Sequence, residues 1–156
     1  MTDTHLPGSD QSRTDAALAL LRATLGAIFV AHGAQKLFIF GLAGVTGAFG
    51  QMGVPLPGIT GPLVGLVEFF GGLALIAGLL TRLAGFGLTV VMLGALFMVH
   101  LAAGFFAPNG IEFVLTLAGV AAMLTVTGAG RYSVDALLAR RAGQTAGNVR
   151  PLRRAA

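Results

Sequence analysis

Long apolar stretches, separated by short polar or glycine- and proline-rich segments, most constrain how this chain can fold. They cover about residues 16–40, 62–80, 83–103 and 111–126. About 20 apolar residues in a helix span the hydrocarbon core of a bilayer, so these stretches predict membrane-spanning helices. Only 10% of the residues are charged and the mean hydropathy is +0.85, which excludes an ordinary soluble domain. We therefore predict an all-α membrane protein, a bundle of four transmembrane helices.

The polar ends of the chain divide it into three regions. Residues 1–15 lack an apolar run and predict a disordered N-terminal tail. Residues 16–138 form the membrane domain. Residues 139–156 carry five arginines and no acidic residue, which predicts a basic, disordered C-terminal tail.

The segment between the first two spans is too long for a tight helical connection. It covers residues 41–61 and is rich in glycine and proline. Within it, Val45, Phe49 and Met52 follow i, i+4, i+7 spacing, which predicts a short helix lying at the membrane interface. Pro62 then suits the first turn of the second span.

Basic residues are distributed asymmetrically between the two sets of loops. Those at the N-terminal end, in the turn between the second and third spans, and after the fourth span are Arg13, Arg22, Arg82, Arg131, Arg140 and Arg141. The two opposite loops contain no lysine or arginine. Because cytoplasmic loops carry the excess of these residues, we predict that both termini are cytoplasmic.

Besides Arg22 and Arg82, five ionisable side chains lie within the apolar stretches or at their edges: His32, Lys36, Glu68, His100 and Glu112. Ionisable groups are expensive in hydrocarbon, and those that occur there usually pair or serve a function. The alternating direction of the spans and a rise of about 1.5 Å per residue place all five in the half of the bilayer away from the cytoplasm. Clustering them is less costly than burying each alone, so a shared polar site is expected.

Helical faces indicate how some of these residues are oriented. Glu68 shares a stripe with Gly61, Gly65 and Gly72, where the backbone of another helix can approach closely. This spacing predicts that Glu68 faces the interior of the bundle.

The polar cluster suits a quinone or another lipid-soluble electron carrier. A quinone headgroup needs hydrogen-bond donors near its carbonyls and groups that move protons. In this hypothesis Glu68 and His100 are catalytic and carry protons, while His32, Lys36 and Glu112 bind the headgroup. Arg82 has a structural role, anchoring the cytoplasmic turn, in the same hypothesis.

Other interpretations of the cluster remain open. Lys36 and Glu68 could form a purely structural ion pair. Haem would use His32 and His100 as axial ligands, and two histidines with two carboxylates could bind a metal ion. The usual metal-ligand spacings are absent from the sequence, so no metal ligand is assigned.

The sequence leaves the cofactor unidentified but limits the partners. The chain contains no cysteine, which excludes disulfides and Cys-ligated iron–sulfur clusters within it. It shows no recognisable electron carrier of its own, so a partner redox enzyme would have to deliver electrons. Membrane lipids and such an enzyme are the expected partners, nucleic acid is not expected, and homo-oligomerisation is left open.

Two alternatives to a redox component follow from the same features. In the first, the chain is a non-enzymatic membrane subunit or anchor for a partner oxidoreductase, its polar cluster is structural, and its basic tail docks the partner. In the second, the cluster belongs to a pathway for protons or small solutes. The cytoplasmic half lacks a deep acidic or basic residue that would continue such a relay.

Several short motifs, in order, resemble the DoxX family of small four-helix membrane proteins. They are HGAQKLF (His32–Phe38), EFFGGLALIAGLLTRLAG (Glu68–Gly85), VHLAAGFF (Val99–Phe106), NGIEF (Asn109–Phe113) and GAGRYSVD (Gly128–Asp135). The resemblance covers about residues 18–137 and implies a multi-pass protein of the bacterial plasma membrane. Relatives in that family include the small subunit of a thiosulfate:quinone oxidoreductase and proteins linked to oxidative-stress complexes. The family pattern marks the same five ionisable residues and Arg82.

Overall fold

The computed structural model describes residues 7–147, and every regular element in that range is a helix. The α-helices there are α1 (Pro7–Ala34), α2 (Gly41–Gln51), α3 (Pro57–Ala77), α4 (Thr81–Ala95), α5 (Glu112–Thr127) and α6 (Val134–Gly147). A π-helical turn, Gln35–Phe40, connects α1 to α2, and a second, Leu96–His100, extends α4 into the 3-10 turn Leu101–Ala103. Three helical segments are long and apolar enough to cross a membrane, and α5 is a shorter apolar helix. The prediction of an all-helical membrane protein is confirmed.

The ends of the membrane domain are more helical than the sequence suggested. Because α1 begins at Pro7, residues 7–15 are helical although the sequence placed them in a tail. Likewise, α6 extends to Gly147 into the segment predicted to be a basic tail. Residues 1–6 and 148–156 lie outside the described part of the chain, so the tail predictions there stay predictions.

The segment between the first two spans contains the short helix that its spacing predicted, and the position of this helix at the membrane interface stays a prediction. This helix, α2, follows the first π-helical turn without an intervening loop, and Val45 is its buried residue. The next helix begins at Pro57, earlier than the expected start at Pro62, which instead lies inside α3. Pro57 suits the first helical position because its missing N–H would have no partner there.

Glycines bring the helices together in two pairs. Helix α1 packs along α3, α5 packs along α4, and α3 contacts α4, whereas α1 and α5 meet only briefly. A Cβ atom added at Gly72 of α3 would lie 2.7 Å from the carbonyl oxygen of Gly26 on α1. One added at Gly85 of α4 would lie 2.9 Å from the carbonyl oxygen of Ala121 on α5. These contacts bring backbones together as small residues do in membrane bundles.

The apolar core joins the two pairs along the middle of the bundle. Its buried members come from four helices and the second π-helical turn: Leu25, Phe29, Leu75, Leu88, Met92, Leu96, Val114, Leu117, Ala118, Ala121 and Leu124. Many large apolar side chains point outward, among them Leu63, Phe70, Phe86 and Val126. An apolar exterior of this kind suits lipid rather than water.

Candidate polar site in the membrane bundle

The site is centred on an ion pair between α3 and the first π-helical turn. Lys36 Nζ lies 2.5 Å from Glu68 Oε2 and donates a hydrogen bond to it. The Glu68 side chain is 4% exposed and that of Lys36 is 19% exposed, so the lysine is the member nearer the surface. A charge-assisted bond of this length offsets part of the cost of removing both charges from water.

The glycine stripe places Glu68 in the interior, as its spacing predicted. Gly61, Gly65, Glu68 and Gly72 are all buried on one face of α3. A Cβ atom added at Gly65 would be 3.4 Å from the Cβ atom of Lys36, so the glycine leaves room for the lysine stem. The absence of side chains along this face therefore lets the π-helical turn approach Glu68 closely enough for the ion pair.

His32 extends the site toward α5. Its ring centroid is 6.2 Å from that of Phe113, with the two rings tilted by 46°. It also lies close enough to Glu68 to interact with it electrostatically. His32 is exposed on the outside of the protein, one turn beyond the core residue Phe29. The structure thus brings together His32, Lys36 and Glu68.

His100 and Glu112 lie at the same end of the bundle but contact a different partner, the turn between α4 and α5. His100 Nδ1 is 2.7 Å from the backbone oxygen of Asn109, and Glu112 Oε1 accepts a hydrogen bond of 2.8 Å from the N–H of Ala107. A carbonyl oxygen only accepts, so Nδ1 carries the hydrogen and donates it in this contact. Both side chains therefore order the turn that leads into α5.

Arg82 lies at the opposite end of the bundle from the ion pair. It is exposed in the first turn of α4 and packs over Gly128, where an added Cβ atom would be 3.2 Å from Arg82 Nε. Together with Thr81 and Asp135 it lines a shallow cavity of about 460 Å³. This position beside the α3–α4 turn agrees with the structural role expected for Arg82, which stays a prediction.

A second polar cluster surrounds that turn, and sequence reasoning did not identify it. Arg22, only 2% exposed, donates to the backbone oxygens of Leu75 at 3.3 Å and Tyr132 at 2.6 Å. The carboxylate of Asp135 accepts hydrogen bonds of 2.8 Å from the N–H of Leu80 and 3.0 Å from the N–H of Thr81. Through Arg22 and Asp135, helix α1, the end of α3 with the α3–α4 turn, and the segment after α5 therefore meet at one end of the bundle.

Two signals in the sequence could have revealed this second cluster. Arg22 is an ionisable residue in an apolar stretch, so the rule that selected Lys36 applies to it as well. The GAGRYSVD motif (Gly128–Asp135) offers polar groups directly after a span. Asp15 carried no such signal, yet it is buried and accepts a hydrogen bond of 3.1 Å from the N–H of Arg131.

The polar site offers hydrogen-bond donors rather than a set of metal ligands. Within residues 7–147, no group of three or more His, Asp or Glu side chains is arranged to hold a metal ion. The Lys36 ammonium and the His32 ring can instead donate hydrogen bonds to an oxygen of a bound molecule.

Two family models match the chain. The model described as DoxX matches residues 17–101, and the model described as TQO small subunit DoxD matches residues 60–150. The first match contains His32, Lys36, Glu68 and His100, and the second contains the GAGRYSVD segment.

Several bacterial proteins are similar over most of their length. "Inner membrane protein YqjF" of Escherichia coli is 38% identical, with 80% of this chain and 93% of that protein covered. An uncharacterized protein of Haemophilus influenzae is 34% identical, with 76% and 87% covered. The Bacillus subtilis protein named "Putative oxidoreductase CatD" is 31% identical, with 83% and 91% covered. No solved structure matches the chain.

Proposed function

Because this chain belongs to the DoxX family of bacterial membrane proteins, we propose that its polar site binds a quinone or another lipid-soluble electron carrier during a redox reaction. The observation that carries the proposal is the Lys36–Glu68 ion pair, which holds a partly exposed ammonium group in an apolar bundle. An intramembrane charge that is both paired and accessible is expected to act on a ligand. The name of the Bacillus subtilis relative, which includes the word oxidoreductase, supports the same class of chemistry.

The three residues brought together by the structure suit the proton side of quinone reduction. A quinone takes up two electrons and two protons to become a quinol. Lys36 donates a hydrogen bond to one carbonyl oxygen and transfers a proton as negative charge develops on that oxygen. Glu68, as the ionised carboxylate of the pair, orients Lys36, which regains its proton from water at the outer end of the bundle. His32 contacts the headgroup from α1 and supplies the second proton to the other carbonyl oxygen. The two electrons come from a reduced partner enzyme.

His100 and Glu112 act on the same site less directly. Their hydrogen bonds to Asn109 and Ala107 order the turn that places Phe113, the second residue of α5, beside His32. His100 also keeps Nε2 available for proton exchange in this proposal.

The arrangement in the membrane is part of the proposal. The first turn of α4 and the segment after α5 lie at the end that carries Arg22, Arg82 and Arg131, so this end is cytoplasmic by the positive-inside rule and both termini lie there. We propose four spans, with α5 as the fourth. Its 16 residues extend about 24 Å, which is short of a typical ~30 Å hydrocarbon core. The bilayer is then expected to thin beside α5.

The proposal is tested by measuring quinone bound to the purified protein. Wild type is prepared in mild detergent with its native lipids, and quinone per protein is quantified in the lipid extract by mass spectrometry. Glu68→Gln and Lys36→Met should each reduce the quinone content at least tenfold, whereas Asp10→Asn, at an exposed carboxylate, should not change it. Wild-type protein that binds no quinone, even when quinone is added, would refute the proposal.

A non-enzymatic membrane subunit is the second candidate. It is favoured by α6, whose exposed Arg140 and Arg141 extend the bundle with a basic helix. In this case Lys36 and Glu68 are structural, and the basic C-terminal segment docks a partner oxidoreductase. Deleting residues 140–156 should then abolish co-purification of the partner, while quinone content and the folded bundle are unaffected.

A further inference from the structure

At the outer end of the bundle α1 and α5 pack loosely against each other, at a junction that we call the α1–α5 seam and define by His32 and Phe113. Along the rest of the bundle, α1 is held against α3 by glycine contacts, but it meets α5 only briefly. At the seam the contact is a tilted pair of rings 6.2 Å apart. Phe113 is 47% exposed there, so its ring faces the membrane as well as His32.

Side chains at the seam become progressively more buried toward Glu68. His32 is exposed, the Lys36 side chain is 19% exposed, and that of Glu68 is 4% exposed. His32 and Lys36 lie four residues apart along the continuous helical segment formed by α1 and the first π-helical turn. His32 is also close enough to Glu68 to interact with it electrostatically. A molecule that enters from lipid through the seam therefore meets the His32 ring first, then the Lys36 ammonium group and last the Glu68 carboxylate.

The other flank of the ion pair is closed. Phe69, the residue after Glu68, packs directly on Gly33 of α1, where an added Cβ atom would collide with the Phe69 backbone. Its ring also makes edge-to-face contacts with Phe38 at 5.4 Å and Phe70 at 5.2 Å between centroids. Phe38 is 71% exposed and Phe70 59% exposed, so these two rings lie on the outer surface, and it is the backbone contact between Gly33 and Phe69 that closes α1 against α3. The α1–α5 seam is therefore the more loosely packed side of the ion pair.

We propose that a quinone-type headgroup enters laterally from the membrane through the α1–α5 seam and stacks on Phe113, with one carbonyl oxygen directed at Lys36. This inference rests on the proposed function and adds the access route and a positioning residue, Phe113. An offset aromatic stack on Phe113 orients the planar headgroup, and the apolar tail of the carrier remains in lipid outside the seam. His32, on the other side of the seam, donates a hydrogen bond to the headgroup.

The test uses the full-length protein in nanodiscs with ubiquinone-type carriers and a photoreactive azido-quinone. Binding is measured for wild type, Phe113→Leu and Phe113→Tyr, with Phe86→Leu as the control at an exposed phenylalanine near the beginning of α4. Loss of the ring in Phe113→Leu should weaken binding about three- to tenfold, Phe113→Tyr should restore it, and Phe86→Leu should have no effect. Thermal stability is measured for each variant so that a folding defect is recognised.

The labelled peptide identifies the route independently. Photolabelling in wild type should map to residues 32–36 and 112–116, on the two sides of the seam. If wild type binds quinone but Phe113→Leu binds equally well, or if the label maps to Phe38 and Phe70, the seam is not the entrance although the proposed function stands. If wild type binds no quinone, both the proposed function and the seam are overturned.

Discussion

Arg22 donates a hydrogen bond of 2.6 Å to the backbone oxygen of Tyr132, although the two residues are 110 positions apart in the sequence. A second hydrogen bond joins the same guanidinium to Leu75 at the end of α3. One buried side chain therefore connects three segments: α1, α3 and the chain after α5. Stability of this end of the bundle should depend on it more than on any surface arginine.

Replacing Arg22 by alanine should strongly destabilise the protein. The change removes two hydrogen bonds from a charged donor and leaves buried carbonyl oxygens with fewer partners, so a loss of about 3 kcal/mol is expected. Thermal unfolding in detergent measures it. Arg13→Ala, at a side chain that is 75% exposed, is the matched control and should change stability by about 0.5 kcal/mol or less. Equal unfolding temperatures for the two variants would contradict this role.

Asp135 should stabilise the first turn of α4 by acting as its N-terminal cap. Its carboxylate accepts hydrogen bonds from two backbone N–H groups that have no partner within the helix, as an N-terminal cap does. Asp135→Ala should lower stability by about 1 kcal/mol and speed hydrogen–deuterium exchange at Leu80 and Thr81. Amides in the middle of α4 serve as the internal control. Unchanged exchange at both positions would show that the carboxylate does not cap the helix.

Adding a methyl group at the crossing of α1 and α3 should be costly. In Gly72→Ala the new carbon would meet the Gly26 carbonyl oxygen and the backbone of Val30, so the helices must separate, at a cost of about 1–3 kcal/mol. Gly119→Ala on α5 is the control because nothing lies within 4 Å of the added atom. That variant should be neutral or more stable by up to about 1 kcal/mol, owing to better helix propensity. Similar stabilities in an unfolding assay would argue against the tight crossing.

The Lys36–Glu68 pair should show strong coupling in a double-mutant cycle. Lys36→Met or Glu68→Gln alone disrupts the ion pair, and the loss expected is about 3 kcal/mol for the lysine variant, which leaves a buried carboxylate unpaired. The double variant should be less destabilised than the sum of the two singles by at least about 1 kcal/mol. Unfolding in detergent supplies the four stabilities. Additive losses would mean that the two side chains do not form the ion pair in the membrane.

Periodicity was sufficient to predict part of this site. The glycine spacing on α3 fixed which way Glu68 faces, because residues that recur every three or four positions share one side of a helix. The need to pair intramembrane charges then favoured Lys36, and the structure contains that ion pair. The first inference depends on spacing within one helix, and the second depends on the free-energy cost of burying an unpaired charge in the membrane. Both can be read from the order and type of residues.

Residue spacing and hydropathy did not predict the hydrogen bonds between side chains and distant backbone groups. Asp15 was assigned to a tail because its neighbours are polar, yet the segment after α5 folds back and gives it the N–H of Arg131. The bonds of His100 to Asn109 and of Glu112 to Ala107 likewise use backbone groups, and hydropathy does not show where these groups point. The π-helical turns were missed for a related reason, since a shift in hydrogen-bond register leaves composition unchanged.

Those π-helical turns bear on how the chain tolerates deletions. Each turn holds more residues than an α-helical turn of equal rise, so losing one residue from Leu96–His100 could restore an ordinary α-helix without shortening the bundle. The same deletion near Gly72 would rotate the rest of the helix by about 100° and turn its glycines away from Gly26. The C-terminal ends of α1 and α4 are therefore the places where this bundle is expected to tolerate the loss of a residue, and such a loss would change the direction of the Lys36 and His100 side chains.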